Sequence, residues 1–450
     1  MERRLFFVLR ITLSALAVYL FISFFVSNEC EYDKVNFNRL PSELMNINRE
    51  TGESGLELEK HFERRHKTGE AGESRLEIEK HFEIRHKTTY GFDVGEYYKT
   101  DLVVENGMVD NLSPLLKSHY EVIYEAQRIH LNMFKTLIGS YKYAMLFNYA
   151  AFENKGDPAI TVGELKLIKT LGIELILHCR TLKCTAHTLD YARNISRNYS
   201  ASELVILMHG GGNLLSYEFE DDHRKLVLER FQKFEVILFP QSVWPKAGSA
   251  HQKEFQEVYA SHPRLTFLYR DRPSYDFGKR NWPKARPFLM PDMAFQIGDV
   301  RRFLTPTHDV MWLARNDGES NKYKMPNGTK GYDVLVKDWW GWPTPKGATN
   351  LEDAVLMAVN GMLFLQRGRV VVTDRLHGHI LSVLCGIPHV IIDPVNHKIT
   401  SYMKSWTGGI EDIVVANSSE DALDKAIGLL KKLDEKIPKT LAFRNSIENP

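Results

Sequence analysis

Two arginines and two histidines stand where side chains can do chemistry. The segment Thr373-Asp374-Arg375-Leu376-His377-Gly378-His379 lies between an apolar run ending at Val372 and a second apolar stretch of helical character. An Arg and a His at a helix N-terminus oppose the local dipole, which favours anions, yet the same place suits a bound phosphate or carboxylate. A local rule broken at a strand–helix junction is a functional signal. Tyr269-Arg270-Asp271-Arg272-Pro273-Ser274 repeats the theme, with Arg270 either an anion clamp or one half of a surface pair with Asp271. In Met208-His209-Gly210-Gly211-Gly212-Asn213 three glycines bare the backbone, so a ligand can approach its N–H groups. An oxyanion hole of the hydrolase type would need a G-x-S-x-G elbow, which the chain lacks. Asn154-Lys155-Gly156-Asp157 precedes Pro158 and reads either as a helix cap or as a carboxylate, Asp157, aimed at a polar acceptor. His377 and His379 diverge on a helix and no Cys or carboxylate cluster completes a set, so no metal site is expected.

Each of these motifs follows a short apolar run of strand character. Ala144–Phe147, Glu174–Leu177, Leu204–Met208, Val236–Phe239, Leu265–Leu268, Val310–Leu313, Val370–Val372 and Val390–Ile392 read as strands. Pro158–Leu171, Asp221–Lys233, His251–Ser261, Leu351–Gln366, Leu376–Leu384 and Glu420–Leu433 read as helices between them. Strand–helix alternation predicts doubly wound parallel sheets. About 300 residues is large for one such sheet. The expectation is two Rossmann-like halves, 101–300 and 301–450, joined by the Pro-containing stretch 295–308 and facing a cleft. Ligands bind such sheets beyond the carboxyl ends of the strands.

The chain has 450 residues, 58 Lys+Arg against 57 Asp+Glu, and a net charge of +1. That balance gives no global basic field and argues against a nucleic-acid binder. Four cysteines exclude a disulfide scaffold. At the N-terminus the uncharged run Ile11–Val26 is preceded by Arg3, Arg4 and Arg10. It is read as a single-pass anchor at 11–27 with residues 1–10 cytoplasmic, in preference to a cleaved signal peptide. Sequons at Asn111, Asn194, Asn198, Asn327 and Asn417 all lie on the lumenal side of that anchor. Residues 28–100 form a stem in which Gly52–Thr68 and Gly72–Thr88 match at 14 of 17 positions. The charge-rich duplicate reads as a solvated spacer, and its His pairs at i,i+5 do not share a helical face. Cys179 and Cys184 are close enough in sequence to pair in an oxidising lumen.

The order of motifs resembles the polysaccharide pyruvyl transferase family. It runs from Asn154-Lys155-Gly156-Asp157 through His209-Gly210-Gly211-Gly212-Asn213, Pro240-Gln241-Ser242 and Arg270-Asp271 with Ser274. Pro291-Asp292-Met293-Ala294-Phe295 and Arg375-Leu376-His377-Gly378-His379 follow, with Pro388 and Lys398 downstream. Trp312-Leu313-Ala314-Arg315-Asn316-Asp317-Gly318-Glu319 is similar to the family's second-half opening strand and acidic loop. One departure is Leu214-Leu215 after Asn213, where many members carry a glycine.

The resemblance implies a GT-B-like fold and transfer of the enolpyruvyl group of phosphoenolpyruvate to a hexose such as galactose, closed as a ketal. It places the donor on Arg270, Arg375, Leu376 and His377, with His377 a general acid or phosphate partner. The dipole at its helix start would lower its pKa and a bound trianion would raise it, so the direction stays open. Asp157, His209 and Asn213 are expected on the acceptor side. The partners expected are phosphoenolpyruvate, a glycan and, through the anchor, a membrane, with no further cofactor. Anchor and stem match the layout of a Golgi type II enzyme with a lumenal catalytic region. The alternatives are a GT-B glycosyltransferase using a nucleotide sugar and a non-catalytic glycan-binding relative.

Overall fold

A computed structural model describes residues 116–245, 250–300, 302–342 and 350–435. The expected anchor and stem, and Asn111, lie outside the described residues. Among the described residues no helix is long and apolar enough to cross a membrane. All of them belong to one compact unit.

Two parallel sheets form its frame. The first takes β1 (Tyr143–Tyr149), β2 (Glu174–Arg180), β3 (Leu204–Met208), β4 (Gly211–Leu214), β5 (Glu235–Val243), β6 (Leu265–Tyr269) and β7 (Pro287–Leu289). Its order is β2-β1-β3-β5-β6-β7, with β4 added onto β5. The second takes β8 (His308–Leu313), β9 (Val334–Lys337), β10 (Gly368–Thr373), β11 (His389–Ile392) and β12 (Ile413–Ala416), in the order β12-β11-β10-β8-β9. Every strand pair is parallel. In both sheets the first strand has the second on one side and the next main strand on the other. Each sheet therefore reverses direction beside its first strand, at β1/β3 and at β8/β10, and such a reversal opens a crevice at the strand ends.

The helices are α1 (His119–Ile138), α2 (Gly156–Thr170), α3 (Ala186–Ser196), α4 (Glu218–Arg230), α5 (Ala250–Ser261), α6 (Arg272–Asn281), α7 (Leu351–Leu365), α8 (Leu376–Leu384), α9 (Lys398–Trp406) and α10 (Ser419–Glu435). Their ends follow from local chemistry. Ser118 and Glu121 form a reciprocal cap on α1, and Asn350 with Asp353 does the same on α7. β3, β6 and the inner residues of β10 are buried on both faces, which is why they read as continuous apolar runs. α10 covers the second sheet, burying Ala422, Leu423, Ala426 and Leu430 against Val310, Trp312, Val370 and Val390.

All eight expected strands are present, and the six expected helices are present with small shifts. α2 begins at Gly156, so Asp157 lies inside its first turn and is not its cap, and Pro158 is two positions further in than expected. α1, α3, α6, α9, β4, β7, β9 and β12 were not anticipated.

Candidate active site

The two reversal points meet around one cavity of about 580 Å³. Its walls include the segments after β1, β3, β4, β5, β6, β8, β9 and β10, and the start of α9.

On the first sheet, β3 ends at Met208 and hands the chain to His209. The His209 carbonyl accepts a hydrogen bond from Gln241 Nε2 (2.6 Å). Its ring Nδ1 lies 2.9 Å from Oε2 of Glu164, a fully buried residue of α2. The other Glu164 oxygen accepts from the Gly210 N–H (2.8 Å). One carboxylate therefore fixes both the ring and the glycine segment behind it. His209 Nε2 is buried with no partner. Burial lowers the His209 pKa, but the attraction and hydrogen bond of Glu164 outweigh it and hold the imidazole above its ordinary value. Asn213 sits in β4, after the glycines.

Two glycines allow close approaches that no other residue permits. A methyl at Gly212 would collide with Nη2 of Arg270, and one at Gly156 would collide with the ring of His377. Arg270 follows β6 and is 2% exposed. Its Nη1 pairs with Asp292 (2.7 Å) and its Nε donates to Ser242 Oγ (2.8 Å). Asp271 does not pair with it; that carboxylate accepts from Ser242 Oγ (2.5 Å) and caps α6 through the Ser274 N–H (2.9 Å). Of the two readings open for Arg270, the surface pair with Asp271 is thus excluded. Asp292 starts the short 3-10 turn Met293–Ile297, where it accepts from the Ala294 N–H (2.9 Å). Burial raises its pKa, but His377 and Arg270 press it well below the usual carboxylate range.

On the second sheet, Arg375 and Leu376 open α8 with His377. Arg375 is held by Asp338 through a forked pair, Nε to Oδ1 at 3.0 Å and Nη2 to Oδ2 at 2.7 Å. Asp317 reaches the same Nη2 (3.1 Å), and the guanidinium lies 5.7 Å from the ring centre of Trp339. Leu376 lines the cavity beside them. His377 sits between carboxylates of the first half, Nδ1 3.9 Å from Asp157 and Nε2 3.5 Å from Asp292. Asp157 also accepts from Asn154 Nδ2 (2.7 Å). His379 points elsewhere, into the core, against His389 (2.8 Å) and Thr407 (3.0 Å).

Arg270 and Arg375, the two guanidiniums expected to grip the donor, do not stand alone in the site. The cavity is lined by four cations, Arg270, Arg315, Arg375 and Lys398, and four carboxylates, Asp157, Glu220, Asp317 and Glu319. Arg315 bridges Asp317 and Glu319, and Lys398 Nζ bonds Glu319 (2.9 Å) and the Gly212 carbonyl (3.0 Å). Burying four cations without carboxylates would cost several kcal/mol each, so the acids are the physical condition for having the clamp at all. Arg270 Nη2 and Arg375 Nη1 keep no partner among the described residues, and these edges remain for a ligand. Behind them Asp374 accepts from the Arg315 N–H (2.8 Å), and burial pushes its carboxyl up to about 7.

The structure thus brings Asp157, His209, Arg270, Arg375, Leu376 and His377 to one cavity. Sequence reading did not assign roles to Glu164, Asp292, Asp317, Glu319, Asp338 or Lys398. Lys398 and Asp292 stood in the motif order; Glu164 and Asp338 carried no signal, because their partners are 45 and 37 residues away. Cys179 and Cys184 form a disulfide at the end of β2. Among the described residues no group of three His, Cys, Asp or Glu side chains is arranged to hold a metal ion.

Comparison with known proteins bears on this cavity. The sequence profile of the polysaccharide pyruvyl transferase family matches residues 154–396, which contain every one of these side chains except Lys398. Pyruvyl transferase 1 of Schizosaccharomyces pombe is 33% identical over 325 residues, covering 67% of this chain and 79% of its own. EpsO of Bacillus subtilis is 24% identical over 285 residues, covering 58% of this chain and 85% of its own. A crystal structure of an uncharacterized Klebsiella pneumoniae protein aligns with a TM-score of 0.42 at 22% identity, over 60% of this chain and 91% of that one.

Proposed function

Because the chain belongs to the polysaccharide pyruvyl transferase family, we propose that it moves the enolpyruvyl group of phosphoenolpyruvate onto a galactose-bearing glycan and closes it as a ketal. In this reading the molecule is GT-B-like, with its two Rossmann-like halves meeting at the cavity. The observation that carries the proposal is the seat of His377. It lies at the N-terminus of α8, between Asp157 and Asp292, with the Arg270 guanidinium bonded to the same Asp292. An imidazole, a helix start and a forked cation meet at one point, which is the equipment an enol phosphate requires.

Phosphoenolpyruvate carries about three negative charges at neutral pH, two of them on its phosphate. Arg375 Nη1 and Arg270 Nη2 grip the phosphate and the carboxylate, and Lys398 trades its bond to Glu319 for one to the donor. His377 delivers a proton to the methylene carbon, the π electrons forming the new C–H bond. The adjacent carbon becomes oxocarbenium-like, and a sugar hydroxyl attacks it. His209, whose basicity Glu164 raises, accepts the hydroxyl proton through Nε2. The C–O bond to phosphate then breaks with both electrons leaving on phosphate, and a second hydroxyl of the same sugar closes the ketal, its proton passing to the departing phosphate, while His209 returns its proton to solvent and His377 regains one from it. No cofactor beyond phosphoenolpyruvate is invoked.

The same reading places the catalytic region in the Golgi lumen behind an N-terminal type II anchor. The disulfide at Cys179–Cys184 suits an oxidising compartment, and Asn194, Asn198, Asn327 and Asn417 are all exposed, as sequon acceptors must be.

The test is to incubate the protein with phosphoenolpyruvate and a galactosyl acceptor. The expected result is a pyruvate-sized mass gain on the acceptor with release of one phosphate. Transfer from a nucleotide sugar with none from phosphoenolpyruvate would overturn the reading.

A further inference from the structure

Exposed aromatic side chains scattered singly over a surface need no explanation. Here they are not scattered. Tyr217, Phe219, Trp244 and Trp340 are each 46–53% exposed and all line the cavity described above. They are four of the seven largely exposed aromatic residues among those described. Both halves of the molecule contribute. Tyr217 is the N-cap residue of α4 and its ring lies 6.1 Å from that of Phe219. Trp244 follows β5, tied by its N–H to the Leu214 carbonyl (3.1 Å) and by its own carbonyl to Ser216 Oγ (3.2 Å). Trp340 follows β9, next to the buried Trp339 that faces Arg375.

An aromatic ring supplies a large rigid face at small entropy cost. A cluster of such faces at the mouth of a polar cavity marks a ligand site. The chemistry of the ligand follows from the half-exposure. A hexose has a C–H face that stacks on a ring and a hydroxyl edge that stays in water, so a wet aromatic rim suits it. An apolar partner would call for a continuous dry patch, and here Arg315, Asp317 and Glu319 line the same cavity, near enough for their charges to act on Tyr217.

Resting on the reading of the cavity as a pyruvyl transfer site, we infer that this rim is a distal acceptor subsite. It stacks the sugars that precede the terminal galactose, so the acceptor is an extended oligosaccharide and not a single hexose.

The test compares kcat/KM for a galactose-terminated tetrasaccharide with that for methyl galactoside, using the full chain. The tetrasaccharide is expected to be favoured about tenfold, the worth of one or two good ring contacts. Trp340→Ala and Phe219→Ala should remove most of that preference, the loss falling on the tetrasaccharide. A wild-type ratio near one, or equal losses on both acceptors, overturns the subsite. If neither acceptor is pyruvylated, the parent reading fails, and binding decides the subsite alone. Titration with the tetrasaccharide should then quench tryptophan fluorescence saturably, and Phe219→Ala, which keeps every tryptophan as reporter, should weaken it. Absence of saturable quenching overturns the inference. So does saturable binding of an apolar fluorophore that the tetrasaccharide fails to displace.

Discussion

The two sheets reverse at the same place, beside their first strand, yet equip their ends differently. The first brings glycine-bared backbone and a histidine backed by one buried carboxylate, Glu164. The second brings Arg315 and Arg375 wound into Asp317, Glu319 and Asp338. Lys398, on the second half, joins them by bonding both Glu319 and the Gly212 carbonyl of the first. The difference teaches a division of labour. A dense, carboxylate-braced cation cluster suits a small polyanionic donor, whereas a single tuned imidazole beside open backbone suits a neutral hydroxylated acceptor. Substitutions on the second half should therefore act on phosphoenolpyruvate, and those around His209 on the acceptor step.

The largest effect is expected from Arg375→Ala. Loss of one forked donor to the departing phosphate should lower kcat/KM for phosphoenolpyruvate roughly a thousandfold. Arg375→Lys should do nearly as badly, because an ammonium cannot reproduce the fork. The change also strands Asp338, whose side chain is 8% exposed, and one uncompensated buried charge costs about 3–5 kcal/mol. Arg375→Ala with Asp338→Asn should recover that stability in a thermal melt and none of the activity. Normal phosphoenolpyruvate kinetics in either variant would break the comparison at its strongest point.

Glu164→Gln comes next and probes the other side. With His209 acting as the base in its neutral form, activity rises as pH climbs through its raised pKa. Removing the carboxylate lowers that pKa, so the acidic limb of the rate profile should move to lower pH. The weaker base should cost roughly a hundredfold in kcat, with the Kd for phosphoenolpyruvate little changed. A limb that stays in place would mean that Glu164 only packs the glycine segment.

Gly212→Ala tests Arg270, the one donor-gripping group that the first half supplies. The added methyl meets the unpartnered edge of Arg270, so the guanidinium must shift away from the donor position. A misplacement worth about 1.4 kcal/mol raises the KM for phosphoenolpyruvate tenfold. An effect confined to the acceptor KM would instead assign Gly212 to the acceptor and narrow the donor site to the second half.

How much of this was legible in the sequence depends on burial and on distance along the chain. β3, β6 and β10 lie in the interior of their sheets and read clearly as apolar runs. Three of the strands that escaped, β7, β9 and β12, are edges of three or four residues. Val336 and Lys337 of β9 face solvent, so no apolar run marks it, and β7 opens on a proline, as an edge strand tolerates. β4 is hidden inside the glycine motif. In the site, Arg375 and His377 stood out because they contradict the charge preference of a helix start. Glu164 and Asp338 contradict nothing locally: a Glu within a helix and an Asp after an edge strand are ordinary. Their meaning comes only from the partners that the fold delivers.

Asp157→Asn should have the smallest effect and makes the finest cut. By chain position Asp157 belongs to the first half and to the acceptor side, but its carboxylate lies 3.9 Å from Nδ1 of His377, across the seam. At that distance two unit charges interact by about 1 kcal/mol in a water-like medium, and the Asp157 side chain is 26% exposed, so screening keeps the value near that limit. If its main service is to the protonated His377, the charge-removing change should cut kcat about fivefold and leave the acceptor KM alone. If it holds a sugar hydroxyl, an amide replaces it well as a hydrogen-bond partner, and the shift should fall on the acceptor KM with kcat preserved. Measuring both constants at saturating phosphoenolpyruvate separates the two. The second outcome keeps the halves distinct as donor and acceptor sides, and the first makes α2 a shared wall.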